Sequence, residues 1–301
     1  MKATMYRNAF GFFLTLASVL SAQAGSGLTA LQIGSSSRAT AMAEAASAVT
    51  SDAASPFWNP AGLAWLSQRQ LHVTHNAWIQ GIRHEALSVA ASSRRWSWGV
   101  HALLTSVDDI EQRTIASEEP LSTFSSHTVA LGLTLAHPVG ERLSLGLNLR
   151  YLYEKIYSES ANGYSVDFGA HYQTPLSGLR LGAAVQNLGS TSTLYREKLN
   201  LPETMRIGAG YTVPLAEGAW RLLLAADYVK VFDKDSYVNA GVEIWPLAML
   251  AMRAGYASNH SNRDLSMGFG LALNSLNMDY AYVPFKQGLG TTHQFSVSFA
   301  L

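Results

Sequence analysis

Arg142-Leu143-Ser144-Leu145-Gly146-Leu147-Asn148-Leu149-Arg150-Tyr151-Leu152-Tyr153-Glu154 is the stretch whose reading decides the fold. Its odd positions are four leucines followed by Tyr151 and Tyr153. Its even positions are Arg142, Ser144, Gly146, Asn148, Arg150, Leu152 and Glu154. Successive side chains of a β-strand point to opposite faces, so a strand here has a leucine wall on one side and a small, polar or charged face on the other. A helix would spread the leucines around its whole circumference and set Arg150 among them. The strand reading wins. A soluble sandwich also alternates, so one strand leaves open which face meets water, and the rest of the chain has to answer that.

The chain has 301 residues, no cysteine and 14% charged residues, well below the ~25% of soluble domains. It opens with Met1-Lys2 and Arg7, an apolar run from Ala9 to Leu20, and Ala22-Gln23-Ala24. These are the parts of a secretory signal peptide over residues 1–24. Taking Lys2 and Arg7 from the 21 basic residues leaves 19 against 21 acidic ones, a formal charge of −2. That balance gives no reason to expect nucleic acid or an anionic surface as a partner. No later apolar run is long enough to cross a bilayer as a helix. Export, few charges, many glycines and no spanning helix meet in the transmembrane β-barrel, whose strands are apolar on one face only.

Residues 25–68 do not alternate. The alanine-rich run 35–49 predicts a short helix with a serine N-cap. Ser51 to Ala64 holds two prolines and a glycine, which exclude regular structure. This segment is either a plain leader before the first strand or a compact plug in a barrel mouth.

From about Gln70 the period is two. Trp98, Val100, Ala102 and Leu104 oppose Gly99, His101, Leu103 and Thr105. Met205, Ile207, Ala209 and Tyr211 oppose Thr204, Arg206, Gly208 and Gly210. Fourteen such runs follow one another: 70–79, 83–91, 95–105, 125–136, 142–154, 163–173, 178–186, 203–213, 219–229, 236–245, 248–257, 264–274, 276–284 and 291–300. The connections alternate between short ones, such as Pro138-Val139-Gly140 and Pro246-Leu247, and mostly longer ones at 106–124, 155–162 and 187–202. Outer-membrane barrels alternate short periplasmic turns with longer outer loops in the same way. The expected fold is all-β and transmembrane: a fourteen-stranded antiparallel outer-membrane β-barrel over 69–301, with a small helical N-terminal plug or hatch over 25–68.

On that reading the inner face carries Arg150, Glu154, Asp167, Arg180, Arg206, Asp227, Glu243, Arg253 and Asp279. Both signs are present, so a polar network in the lumen is expected. Trp96, Tyr151, Tyr153, Tyr172, Trp220, Tyr228 and Trp245 fall near outward strand ends, where interfacial girdles sit. No nucleotide, zinc-protease or serine-hydrolase motif is present, and no cofactor or metal is expected. Ser125 and His127, two apart on one strand, are the one faint nucleophile–base pair. A wet strand end explains them as well, so a non-enzymatic protein is expected.

Gly34-Ser35-Ser36-Ser37-Arg38-Ala39 through Ala45, then Asp52-Ala53-Ala54-Ser55-Pro56-Phe57-Trp58-Asn59-Pro60-Ala61-Gly62-Leu63, resembles the plug region of the PorV/PorQ family. The segments Leu179 to Gly189, Leu201 to Gly208 and Asp279 to Phe285 followed by Gly290 to Ser296 are similar in the same order. That family is related to FadL-type channels, and Asn59-Pro60-Ala61 matches their hatch motif. The resemblance implies one of two roles in the cell outer membrane. PorV/PorQ-like members act in type IX secretion, with exported proteins or a surface lipoprotein as partners. FadL-like relatives pass hydrophobic small molecules. It also marks Arg38, Trp58, Asn59, Pro60 and Ala61 as hatch residues. The short outer loops expected here leave little surface for gripping a protein client.

Overall fold

The computed structural model describes residues 28–93, 95–113, 118–194, 197–213, 220–232 and 234–301. The expected signal peptide lies outside them. Fourteen strands close a barrel: β1 (Gln70–Ala77), β2 (Arg83–Ser92), β3 (Ser97–Gln112), β4 (Ser122–Val139), β5 (Leu143–Ile156), β6 (Glu159–Gln173), β7 (Leu179–Thr191), β10 (Thr204–Val213), β11 (Arg221–Val231), β12 (Ser236–Leu247), β13 (Leu250–Ser258), β14 (Leu265–Leu273), β15 (Leu276–Pro284) and β16 (Thr291–Ala300). Two-residue strands β8 (Thr193–Leu194) and β9 (Glu197–Lys198) form a ribbon in the connection between β7 and β10. Each barrel strand pairs antiparallel with its neighbours. β1 closes onto β16, with Gln70 opposite Ala300. Closure leaves no sheet edge, the condition for placing strands in hydrocarbon.

The faces follow the alternation. In β5, Leu145 and Leu149 are 43% and 47% exposed while Arg150 is 5% exposed. Leucine outside and charge inside is the inverse of a water-soluble domain and suits a lipid exterior. Among the described residues no helix is long and apolar enough to cross a membrane. We call the end that carries the C-terminus the lower end, and the end with the connections after β1, β3, β5, β7, β11, β13 and β15 the upper end.

Two expectations are corrected. The helix expected over 35–49 is only α1 (Ser37–Ala41), and Ser36 makes no side-chain cap. Ala43 and Glu44 take positive φ values of 52° and 65°. Helix propensity is weak and tertiary bonds override it: Glu44 reaches two arginines and Ala43 N–H donates to Ser266 Oγ at 2.9 Å. The long outer loops are mostly strand. β3 and β4 run well past the expected limits through an irregularity between Val107 and Ile110. β5 and β6 are joined by the two residues 157 and 158, with Tyr157 at φ 56°. Strands β3 to β7 therefore form a tall wall of 13–18 residues per strand, while β13 to β16 and β1 have 8–10.

Candidate functional site: the lumen and its upper mouth

The lumen is filled by residues 28–66. Leu28 packs in the upper half against Ala86, Leu103 and Leu152. At the lower end Ala53 N–H donates to Gln70 Oε1 at 2.8 Å. The chain thus descends through the barrel and enters β1 from below. Its backbone lies directly on inward-facing glycines. A Cβ on Gly146 of β5 would meet the backbone of Pro60 and Ala61, one on Gly182 of β7 that of Ser47, and one on Gly255 of β13 that of Met42 and Ala43. Any larger residue there would hold the segment off the wall.

Polar groups fasten what the glycines admit. Asp227 of β11 accepts N–H bonds from Ala46 (3.1 Å) and Ser47 (2.9 Å) through Oδ2. Asn59 is fully buried. Its Nδ2 donates to Ser47 O (2.8 Å) and Ala170 O (3.0 Å), and its Oδ1 accepts from Ala61 N–H (3.1 Å). Pro60 and Ala61 follow as the first turn of a 3-10 helix that Asn59 caps. Ser144 of β5 donates to Ala61 O at 2.9 Å.

The charges form three clusters. In the first, the Arg38 guanidinium grips both Glu243 oxygens (2.8 and 2.9 Å). Glu243 also takes Arg253 (2.6 Å), which reaches Asp279 (2.7 Å). The Glu243 carboxylate holds the Arg38 guanidinium above its ordinary value, against the effect of burial. The second cluster joins Arg150 to Asp167 and to Asn187 Oδ1 (2.9 Å). In the third, Glu44 pairs with Arg263 at 2.6 Å and lies 3.8 Å from Arg206. Burial pushes the Glu44 carboxyl up, but Arg263 and Arg206 outweigh it and hold the group below the usual carboxylate range. Arg206 also lies 5.0 Å over the ring of Trp58.

Arg38, Glu243, Arg253 and Asp279 are thus brought together, as are Arg150 and Asp167, and Arg206 and Trp58. Asp227 stands apart from the ion pairs and binds backbone. Arg38 and Glu44 of the N-terminal segment join these inner-wall charges, so the network ties the segment to the barrel. Sequence reasoning placed Gln186 on the inner face but missed Glu44, Arg263 and Asn187. A bulge opposite Asp167 turns both Gln186 and Asn187 inward, with Asn187 at φ 63°. The two polar side chains in Gln186-Asn187-Leu188-Gly189, where the alternation breaks, were the available signal.

The upper end is open. A cavity of about 580 Å3 is lined by Trp78, Ile79, Ile82, Phe285, Ile33 and Tyr237, with Lys234, His260 and Arg263 among its polar groups. Trp78 and Phe285 meet edge to face at 5.1 Å. Burial and the nearby Arg263 charge push His260 below its ordinary value. A smaller cavity of about 30 Å3 shares Gln32, Ile33 and Tyr237 with the mouth and extends to Phe57, Trp58, Leu103, Arg150 and Arg206.

Ser125 and His127 lie on the outward face of β4 near its upper end, with Ser125 Oγ 3.1 Å from His127 Nε2. Among the described residues no carboxylate is seen hydrogen-bonded to that histidine.

The geometry defines a class: a closed fourteen-stranded antiparallel barrel of the outer-membrane type, internally filled by its own N-terminal segment. The model of a family described as "Uncharacterised protein family (UPF0164)" matches residues 20–168. No curated protein matches. The structure of a "CymD monoaromatic hydrocarbon channel" aligns with TM-score 0.64 at 15% identity, covering 92% of this chain and 99% of that one. A "TodX deltaS2S3 mutant monoaromatic hydrocarbon channel" aligns with TM-score 0.57 at 12% identity, covering 88% and 97%. A TodX deltaS2 mutant gives TM-score 0.55 at 10% identity, covering 86% and 96%. At these identities the likeness is one of fold, and it bears out the fourteen-stranded barrel.

Proposed function

We propose that the protein is a non-enzymatic outer-membrane channel for hydrophobic small molecules, exported by cleavage after Ala24, with residues 25–68 as its hatch. The observation that carries this is the upper mouth, where Trp78, Ile79, Ile82 and Phe285 surround a cavity of about 580 Å3. Ligand sites are concave, mostly apolar and furnished with a few polar groups, and the mouth has that make-up. The hydrocarbon channels whose fold it shares support the same reading, and they favour it over the type IX secretion role that the PorV/PorQ resemblance puts first. The test is calorimetry of 1-octanol with the protein in nanodiscs, corrected against empty nanodiscs. Saturable binding that falls in Trp78→Ala and Phe285→Ala is expected. No saturable binding would sink the reading.

A part in protein export or surface attachment keeps one supporting observation, the tall β3–β7 wall, which offers a protein partner more surface than short loops would. Co-purification of exported proteins sharing a C-terminal domain, lost on trimming the β3–β4 hairpin, would establish that role.

A further inference from the structure

We propose that the outer wall of β2–β5 seats one anionic, phosphate-bearing lipid of the surrounding bilayer, with an acyl chain in a groove and the phosphate on a row of donors above it. The seat faces away from the lumen and is independent of what the lumen carries. The groove arises at Ala102. On β3 this small side chain stands directly opposite Leu87 of β2 and Leu131 of β4. Between those larger neighbours it leaves a hollow of about 400 Å3, walled below by Val100, Leu133 and Leu149. Its floor is closed. The His101 ring fills the space over Gly132, is 2% exposed and meets Phe57 of the N-terminal segment edge to face at 5.3 Å. The hollow is therefore a seat on the surface and gives no passage through the wall.

A row of donors crosses the same face four residues higher on β3. Arg83 of β2 stands opposite Ser106, Ser106 opposite His127 of β4, His127 opposite Lys155 of β5, and Lys155 opposite Ser160 of β6. Carboxylates meet only one end of it. Asp108 takes Arg83, and Glu85, one outward position below Arg83, takes His75 at 2.7 Å. Lys155 is exposed and makes no ion pair among the described residues. Glu154 and Glu159, its nearest carboxylates in sequence, fall on the inner face by alternation. His127 bonds Ser125 Oγ at 3.1 Å. The row thus carries positive charge that the wall does not neutralise.

Spacing selects the occupant. Four residues rise about 13 Å along a strand, or about 10 Å of depth at the tilt of such barrels. One leaflet's hydrocarbon is about 15 Å deep, half of the ~30 Å core. The hollow therefore lies at acyl depth in the leaflet whose phosphates the row meets. Bonds from ammonium and imidazole groups to phosphate oxygens are charge-assisted. A chain laid in the hollow gains dispersion contacts that a flat wall does not offer. On the other side of the barrel seam the same row continues as Ala77, His293 and Tyr282, without lysine or arginine. Groove and charge coincide on β2–β5.

The experiment is native mass spectrometry of the full chain in detergent, with equal amounts of phosphatidylglycerol and phosphatidylcholine of the same acyl chains. One phosphatidylglycerol is expected to stay bound in about tenfold preference, a difference that charged hydrogen bonds supply. Lys155→Gln should abolish the preference between headgroups. Ala102→Phe should fill the hollow and lower the retention of both lipids. Both side chains face outward, so unfolding in urea should be unchanged in either variant. Equal retention of the two lipids by the natural protein overturns the seat. A preference that survives both variants places the lipid elsewhere and overturns it too. A dimer that is lost in Ala102→Phe would put a second copy of the chain in the groove and overturn the lipid as its occupant.

Discussion

The two ends of the lumen are built from one continuous segment and have opposite character. At the lower end Asn59, Ala61 and Leu63 are fully buried, and the backbone rests on glycines and is hydrogen-bonded to the wall. At the upper end Leu31, Gln32 and Ile33 are half-exposed and border an open cavity lined by large side chains. A seal needs backbone contact at many points, so its wall sheds side chains. A mouth needs space with selective chemistry, so its wall keeps aromatic rings and a few charges. Closure and recognition are thus assigned to different heights of the same barrel.

That division breaks most readily in the lower half. Glu243→Gln leaves Arg38 and Arg253 sharing a neutral partner, and breaking a buried ion pair costs about 3–5 kcal/mol. Urea unfolding in detergent should show that loss. Gly146→Leu drives a side chain into the Pro60–Ala61 backbone and costs about 3 kcal/mol by overpacking. Planar-bilayer recordings should then pass from closed to conducting, and a barrel that stayed closed would argue against the glycine seat. Asn59→Ala removes a cap and strands two carbonyls, a loss of about 2 kcal/mol.

Smaller effects sharpen the contrast from above. Because the Glu44 carboxyl is held below its unfolded-state value of 4.5, its pairing is fully present above that pH and is lost as pH falls further, through the lowered value. Acid titration of unfolding should show this step, and Glu44→Gln should remove it. Trp78→Ala should weaken octanol binding while costing about 1 kcal/mol of stability, the worth of its edge-to-face contact with Phe285.

Much of the barrel was legible because one face of each strand faces lipid and must stay apolar. That constraint repeats with period two, as in Leu143 to Tyr153, and it needs no knowledge of partners. The charged and glycine positions of the inner face were legible in the same way. Their pairings were not. Arg38 meets Glu243 across 205 residues of sequence, and nothing local to either residue names the other. The bulge at Gln186 and Asn187 was hidden for a related reason: a single extra residue flips the face, and alternation beyond it reads equally well in either phase. The helix over 35–49 failed because propensity stood alone there against bonds to β10, β14 and the loop beyond β13.

The glycine seat also bears on the order of assembly. The segment is synthesised ahead of the strands, yet its resting places are spread over strands from β3 to β14, and Ser37 N–H bonds Ser296 Oγ across 259 residues. No part of the seat exists until the wall around it does. Residues made ahead of the barrel strands are therefore among the last to settle, and contacts of such long sequence separation make for slow folding. A refolding trace should show strand formation ahead of a slower phase in which the lumen becomes protease-resistant. In that interval the barrel would be a bare pore.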